Sequence, residues 1–390
     1  NDGRTSVSRR AWVRRVLTVS QFAIAQFLII ATLVVGKQIR YSLNRDMGFR
    51  KDAVINFTTP MDFDHPDGRQ YVLLEKLRQV PGIRRLSLSG APPATGGYNS
   101  TTMKFIREGK EIETTVETKE ADTAYFDLYQ MKLAAGRNLG QSDTLREYVI
   151  NEAYARFLGY TDPAAIIGQT IQRGNRSIPI VGVVRDFNFK STHGAITPLA
   201  FCCRAATQHS FHVLLNEASK NTDSWKATIA RIGEAWKTVY PDQEFDYSFF
   251  DDRIAGFYRK EQQTGNLLNW SAGLAIFISC LGLLGLVIYT TTQRTREIGV
   301  RKVLGATVPQ LVSILSLDLL KLVAIGFVIA VPMAGWIMHQ WLQNFAFRTN
   351  LSWWVFALSG LAMVGVAFVT LSVQTIRAAT ANPVKALRSE

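Results

Sequence analysis

Val16-Leu-Thr-Val-Ser-Gln-Phe-Ala-Ile-Ala-Gln-Phe-Leu-Ile-Ile-Ala-Thr-Leu-Val-Val-Gly36 contains no charged residue. At 1.5 Å per residue, a helix of about 20 such residues crosses a hydrocarbon core of roughly 30 Å, so the stretch reads as a membrane span. It is longer than the apolar core of a secretory signal, about 7–15 residues, and no small-residue cleavage site leads into a mature start. Working outward, further uncharged runs lie between Glu261 and Arg294, between Lys321 and His339, and between Arg348 and Arg377. Four spans exclude a soluble enzyme. The mean hydropathy of +0.04 hides this, because it averages a polar middle with apolar ends.

The net charge of +13 invites a nucleic-acid reading until its location is considered. From Arg40 to Glu261 the chain carries 29 Lys/Arg against 27 Asp/Glu, a balance of only +2. The excess sits at the span edges: Arg4, Arg9, Arg10, Arg14 and Arg15 before the first, Arg294, Arg296, Arg301 and Lys302 after the second, and Arg377, Lys385 and Arg388 after the fourth. Basic short loops stay in the cytoplasm, which puts both termini inside and the long insert outside, with no nucleic-acid partner. The expected division is 1–15 basic N-terminus, 16–37 first span, 38–265 extracytoplasmic domain, 266–293 second span and 294–310 cytoplasmic helix. It continues with 311–340 third span, 341–351 outer loop, 352–376 fourth span and 377–390 cytoplasmic tail. Cys202, Cys203 and Cys280 do not make a disulfide framework, so the outer domain must fold on its apolar core.

Patterning in the insert is α+β. A strand at 53–58, a helix at 68–80 stopped by Pro81-Gly82 and a strand at 83–89 read as a β-α-β unit, followed by a Gly/Pro-rich loop at 90–97 flexible enough to mark a subdomain boundary. Alternation at 101–106 and 111–118 around Glu108-Gly109-Lys110 predicts a hairpin. Then come a strand at 148–151, a helix at 152–158 stopped by Gly159, an apolar strand at 177–185, a helix at 223–240 and a strand at 244–250. Acidic Asp251 and Asp252 suit the positive end of a helix, and no strong breaker follows, so one helix is expected from about 252 to 293, a stalk able to transmit a push. The same pair is the only opening for a membrane-embedded enzyme.

Chemical signatures are sparse. No Gly-x4-Gly-Lys-Ser/Thr holds phosphates, so ATP must be bound by another chain and no cofactor is expected here. His65, His193, His209, His212 and His339 show no ligand spacing; His209 and His212 fall on opposite faces of a strand, and a metal site is not expected. There is no Gly-x-Ser-x-Gly elbow and no catalytic residue is expected. Asp318 and Lys321, three apart, pair at the inner edge of the third span, which disfavours an ion-driven carrier. In the second span Ser271, Ala275, Ser279 and Gly282 recur every three or four residues and let a helix approach closely, either within the chain or across a dimer seam. Pro332 should kink the third span, and Trp336, Trp341, Trp353 and Trp354 mark the outer interface. The short loop Gln293-Arg-Thr-Arg-Glu-Ile-Gly-Val-Arg-Lys-Val-Leu-Gly-Ala306 is basic and amphipathic, with Val300, Val303 and Leu304 on one face.

From Arg294 to Ala306 this loop closely resembles the signature after the second span of FtsX-like permeases, the membrane subunits of ABC transporters that include macrolide exporters and lipoprotein-releasing complexes. Ala381-Asn-Pro-Val-Lys-Ala-Leu-Arg388 resembles their closing motif. Tyr125-Phe126 through Ala135-Gly-Arg-Asn138, Val149-Ile-Asn-Glu152 and Ile180-Val-Gly-Val-Val-Arg-Asp-Phe187 resemble the periplasmic core of MacB-type permeases.

The resemblance implies four transmembrane helices with a large extracytoplasmic α+β domain of two subdomains between helices 1 and 2. It implies a permease that works as a dimer of such units with a separate ABC ATPase subunit, moving a drug, peptide or lipoprotein outside the inner membrane. An adaptor or outer-membrane partner and the surrounding membrane lipids complete the expected contacts. Glu297, Gly299, Arg301, Lys302 and Gly305 would form the helix seated in the ATPase groove. The charged side chains would contact the partner, and the glycines would permit close approach and helix termination. The alternative is an ATP-driven regulator of a cell-wall hydrolase or envelope sensor. Macrolide exporters fuse an ATPase ahead of the first span. Other relatives carry two four-span units in tandem, and the basic lead-in without Met fits the C-terminal half of such a chain.

Overall fold

The computed structural model describes residues 2–60, 67–95, 99–189, 194–216, 222–293 and 308–380. The chain divides into two compact units, Asn1–Tyr41 with Lys260–Glu390, and Ser42–Arg259. The first span lies in α1 (Asp2–Asn44), a proline-free helix of 43 residues.

The outer domain begins with β1 (Val54–Thr58), α2 (Arg69–Arg78) and β2 (Ile83–Ser89). The two strands are not neighbours, as a simple β-α-β unit would have them. β10 (Ser210–Leu215) lies between them, antiparallel to both, and the sheet order is β11-β1-β10-β2. Local periodicity cannot reveal a strand that arrives from more than a hundred residues away. Helix α5 (Thr222–Val239) covers this sheet with Ile232 and Trp236, and Phe57 of β1 packs on Trp236, Phe211 and Phe245 with ring centroids 5.1–5.9 Å apart.

The second sheet starts with the hairpin β3 (Asn99–Arg107) and β4 (Lys110–Glu120). Glu108 and Gly109 both have positive φ, 53° and 76°, the turn whose twist matches the strands it joins. After α3 (Tyr125–Leu128) come β5 (Leu133–Gly136), β6 (Tyr148–Asn151), α4 (Glu152–Phe157), β7 (Thr170–Arg173), β8 (Arg176–Val184) and β9 (Leu199–Cys202). The order is β5-β8-β6-β9-β4-β3-β7, and β7 pairs with both β3 and β8, so the sheet closes on itself. Strands β6 and β9 are buried on both faces, which is why they read as continuous apolar runs. Tyr148, Ile150, Ala200 and Cys202 point into one core, whereas Val149, Leu199 and Phe201 join the aromatic core shared with the first sheet.

The expected strand at 244–250 shrinks to β11 (Ser248–Phe249), because Phe245 and Tyr247 serve ring packing instead of a ladder. The expected helix over 252–293 is also broken. α6 (Phe250–Gly256) and α7 (Arg259–Gln293) are separated at Phe257 and Tyr258. Their amides bond three residues back, to Ile254 and Ala255, each at 3.1 Å, after the poor helix former Gly256, and Tyr258 is fully buried.

Two further helices, α8 (Val308–Gln343) and α9 (Trp353–Thr380), complete the membrane unit; α8 runs without interruption through Pro332. Trp12–Asn44, Arg259–Thr290, Leu320–Gln343 and Trp353–Thr370 are long and apolar enough to cross a membrane. Trp270, Val328, Trp353 and Leu361 are exposed, the apolar surface that lipid covers in a spanning bundle.

Candidate functional site

In the membrane unit α1 is the hub. One core joins its Phe22 and Ala25 to Leu283 and Val287 of α7, Val323 of α8, and Met363 and Ala367 of α9. A second joins Ile30, Ala31 and Val34 to Ala334, Met338 and Leu342 of α8 and Val355 of α9. At Gly326 the helices touch: an added Cβ would lie 3.0 Å from Phe22 Cβ and 3.2 Å from the Ala23 amide nitrogen.

The small-residue stripe is divided. Ala275 is half-buried against the first of these cores, Ser279 is fully buried with its hydroxyl donating to Ala275 O at 2.7 Å, and a Cβ at Gly282 would lie 2.2 Å from Gln21 Oε1 of α1. Ser271 is exposed. Three of the four residues thus face contacts within the chain. Glu297, Gly299, Arg301, Lys302 and Gly305 lie outside the described residues, as do residues 381–388 of the closing motif and the side chain of Asp318.

Polar residues of α1 escaped a reading that looked only for charge. Gln26, fully buried in mid-span, donates to Val323 O at 3.3 Å and leaves Oε1 without a partner. Gln38 donates to Phe347 O at 3.0 Å and accepts from the Thr349 amide at 2.8 Å, so one side chain ties α1 to the loop between α8 and α9. Lys37 donates to Asn350 O at 2.9 Å and to Ser352 Oγ at 2.7 Å, and lies 5.8 Å from the Trp354 ring centroid. The Gln38 and Lys37 contacts place two polar heads where the apolar segment ends.

In the outer domain the 90–97 loop is anchored over its described part, contrary to the flexible link its composition suggests. The carbonyls of Gly90, Ala91 and Pro92 accept in turn from His212 Nε2 at 2.9 Å, Tyr125 OH at 2.9 Å and Lys119 Nζ at 3.1 Å. His212 Nδ1 accepts from Tyr129 OH and Asn56 Nδ2, each at 2.7 Å, which fixes the tautomer with hydrogen on Nε2. Burial holds His212 neutral, with its pKa pushed down to about 3, and lowers that of Lys119 to about 8. Asp122 accepts from Ser87 Oγ at 2.7 Å and the Leu88 amide at 3.0 Å; burial raises its pKa against the pull of these bonds. The network therefore spans β2, β4, β10 and α3, joining the two sheets through hydrogen bonds that only burial makes costly to break. His209 and His212 do not meet in a ligand set, since His212 is committed to this network.

The outer motifs prove to be close-approach devices. Gly136 and Gly182 face each other across β5 and β8. A Cβ on Gly136 would lie 2.3 Å from Val181 O, and one on Gly182 would lie 2.2 Å from Arg137 O. Arg137 grips Glu147 through two bonds, of 3.0 and 2.6 Å, and the guanidinium holds the Glu147 carboxyl below its usual range. Asn151 caps α4 by accepting from the Tyr154 amide at 3.1 Å, and also accepts from the Leu199 amide at 3.0 Å. The thiols of Cys202 and Cys203 are buried and free, and burial pushes Cys202 up to about 11.

Four apolar helices, three of them packed about α1, with a two-sheet domain between the first and second, define a multi-pass membrane protein with a large inserted outer domain. Residues 16–233 match the MacB-like periplasmic core domain, and residues 270–383 match the FtsX-like permease C-terminal domain. The first match covers more than half of the 390 residues, and the chain belongs to the FtsX-like permease family with a MacB-like periplasmic core. It is an ABC transporter permease of that type. The uncharacterized ABC transporter permease YknZ of Bacillus subtilis is 20% identical over 398 residues, covering 97% of this chain and 96% of that one. The macrolide export ATP-binding/permease protein MacB 1 of Yersinia pestis is 23% identical over 401 residues; the alignment covers 97% of this chain but only 58% of that protein. The crystal structure of the periplasmic region of MacB from Actinobacillus actinomycetemcomitans aligns over 56% of this chain at 14% identity, with a TM-score of 0.37.

Proposed function

We propose that this permease converts ATP hydrolysis by a separate ATPase subunit into movement of its outer domain, exporting or extracting a substrate of the drug, peptide or lipoprotein class. The observation that carries the reading is α1. It is one helix from Asp2 to Asn44, it forms the core contacts of the membrane unit with α7, α8 and α9, and it passes without a break across the boundary into the outer unit at Ser42. Any displacement of the bundle is therefore handed on through a continuous backbone, because hydrogen-bonded helix resists bending far better than a loop.

ATP would be bound by the partner, with Glu297, Arg301 and Lys302 offering charged contacts and Gly299 and Gly305 allowing close approach. Both termini and the 294–310 segment would lie in the cytoplasm, and the permease would pair with a second four-span unit. The FtsX-like match, which spans the segment after α7, supports this placement.

The test is co-purification of the full chain with candidate ATPases of the same organism, with ATP hydrolysis measured in nanodiscs. An associated ATPase whose coupled activity falls in Glu297→Ala and Arg301→Ala supports the reading. Failure of every ATPase to associate contradicts it, and an envelope hydrolase co-purifying with the ATPase complex would make the chain a regulator.

A further inference from the structure

Two stretches of chain join the outer domain to the membrane unit, and they differ in build. Helix α1 runs unbroken through the boundary at Tyr41 and Ser42. The return passage is interrupted: α6 ends at Gly256, α7 begins at Arg259, and the boundary between Arg259 and Lys260 follows at once. Phe257 keeps helical dihedrals, φ −62° and ψ −27°, so the interruption is a loosened turn and not a reversal of the chain. The amides of Phe257 and Tyr258 bond three residues back, and a turn held in that way has poorer hydrogen-bond geometry than an α-helical one.

Packing is equally uneven on the two sides of this turn. Phe250, Ile254 and Tyr258 are buried in the aromatic core of the outer domain, and Phe257 packs against it, so the chain is fastened as far as Tyr258. From Arg259 to Ser271, about three and a half turns, no residue is buried, and the next buried side chain is Ala272. Contact with α1 along this stretch is slight at Gly265, where an added Cβ would lie 3.6 Å from the side chains of Val35 and Ile39, an ordinary contact distance.

The turn also has room to move. A cleft of about 370 Å³ opens beside it, walled by Thr95, Asp252, Arg253, Gly256, Phe257 and Arg259, all of them in the outer unit. Nothing lies within 4 Å of a Cβ added at Gly256, and its φ is not positive. Neither close approach nor a left-handed conformation therefore calls for glycine here. What glycine supplies is a backbone that turns more freely than that of any other residue.

We propose that Gly256, Phe257 and Tyr258 form a hinge, at which the outer domain turns relative to α7 while α1 remains a continuous strut. Hinges are commonly a few residues at the ends of elements that absorb changes in φ and ψ. With one link stiff and the other jointed, a shift of α7 along α1 is taken up at the joint instead of straining the core that holds Tyr258. The inference rests on backbone and packing alone, and it stands whether or not an external ATPase drives the permease.

The test uses the full chain in nanodiscs, carrying Cys280→Ser and pairs of spin labels at exposed positions, with distance distributions read by double electron–electron resonance. Cys202 and Cys203 are buried and stay unlabelled. One pair, Val72→Cys with Leu267→Cys, joins the outer domain to α7; the other, Val72→Cys with Arg40→Cys, joins it to α1. The α7 distribution should be about twofold broader than the α1 distribution. Gly256→Ala should narrow the α7 distribution toward the α1 width, leave the α1 distribution unchanged and not lower the melting temperature. Equal widths in the two pairs would overturn the hinge. An α7 distribution that stays broad in Gly256→Ala would overturn it as well, because the motion would then arise elsewhere in the chain.

Discussion

Lys119 shows how much a single buried residue can say. It is 6% exposed, and its ammonium reaches only the neutral acceptors Pro92 O and Thr95 Oγ1 through hydrogen bonds. Its folded pKa of about 8 lies below the usual 10.5, so the folded chain binds fewer protons than the unfolded chain between those values. Stability must then rise with pH through that window, by on the order of 3 kcal/mol. In Lys119→Met this rise should be absent, and denaturant titrations of the full chain at pH 8 and pH 10 would reveal it. His212 works in the same direction, lower on the pH axis. Its folded pKa of about 3 lies below the usual 6.5, so its contribution is complete above 6.5 and is lost as pH falls toward 3. His212→Ala should cost about 2–4 kcal/mol at pH 7, because it strands Gly90 O and leaves the Tyr129 hydroxyl without its acceptor, and the deficit should shrink in acid. The sequence placed His212 in a strand but gave no hint of its partners, which come from segments 83 and 156 residues away. Nor could it tell a buried lysine from a solvated one inside the alternating strand β4.

At the scale of elements, the membrane helices and most outer strands were legible because each carries its own periodicity or charge-free length. What stayed hidden depended on partners distant in sequence: β10 inserted between β1 and β2, the closure of the second sheet through β7, and the break between α6 and α7. Close approach is equally invisible to pattern, and it gives direct tests. Gly326→Leu should push α8 off Phe22 and Ala23 of α1 and cost about 1–3 kcal/mol, whereas Gly285→Ala, with nothing within 4 Å of its added Cβ, should be neutral or slightly stabilising. Melting curves in detergent distinguish the two. In the outer domain Gly182→Ala should destabilise by more than about 2 kcal/mol, since its methyl meets Arg137 O and a strand backbone cannot yield as a flexible side chain can. A wild-type melting temperature in that variant would show that β5 and β8 are less tightly apposed than described.

For the molecule as a whole, the division of labour follows from where apolar and polar surface lie. The bundle buries little of its own spans, with 22% of the windows in α7, α8 and α9 covered by protein against 44% in α1. The hub helix is thus the one best held by its neighbours, and it is also the one that continues into the outer domain. Within that domain the polar network around His212, Asp122 and Lys119 binds the two sheets together, which suits a body moved as a unit better than a pair of hinged lobes. The most direct test of the central claim, that an external ATPase drives this permease through the segment after α7, is the ATPase rate of the purified complex in nanodiscs. The account predicts that hydrolysis coupled to the permease falls severalfold or more in Glu297→Ala and Arg301→Ala while the complex stays assembled. An unchanged rate in both variants, with the ATPase still bound, would contradict it.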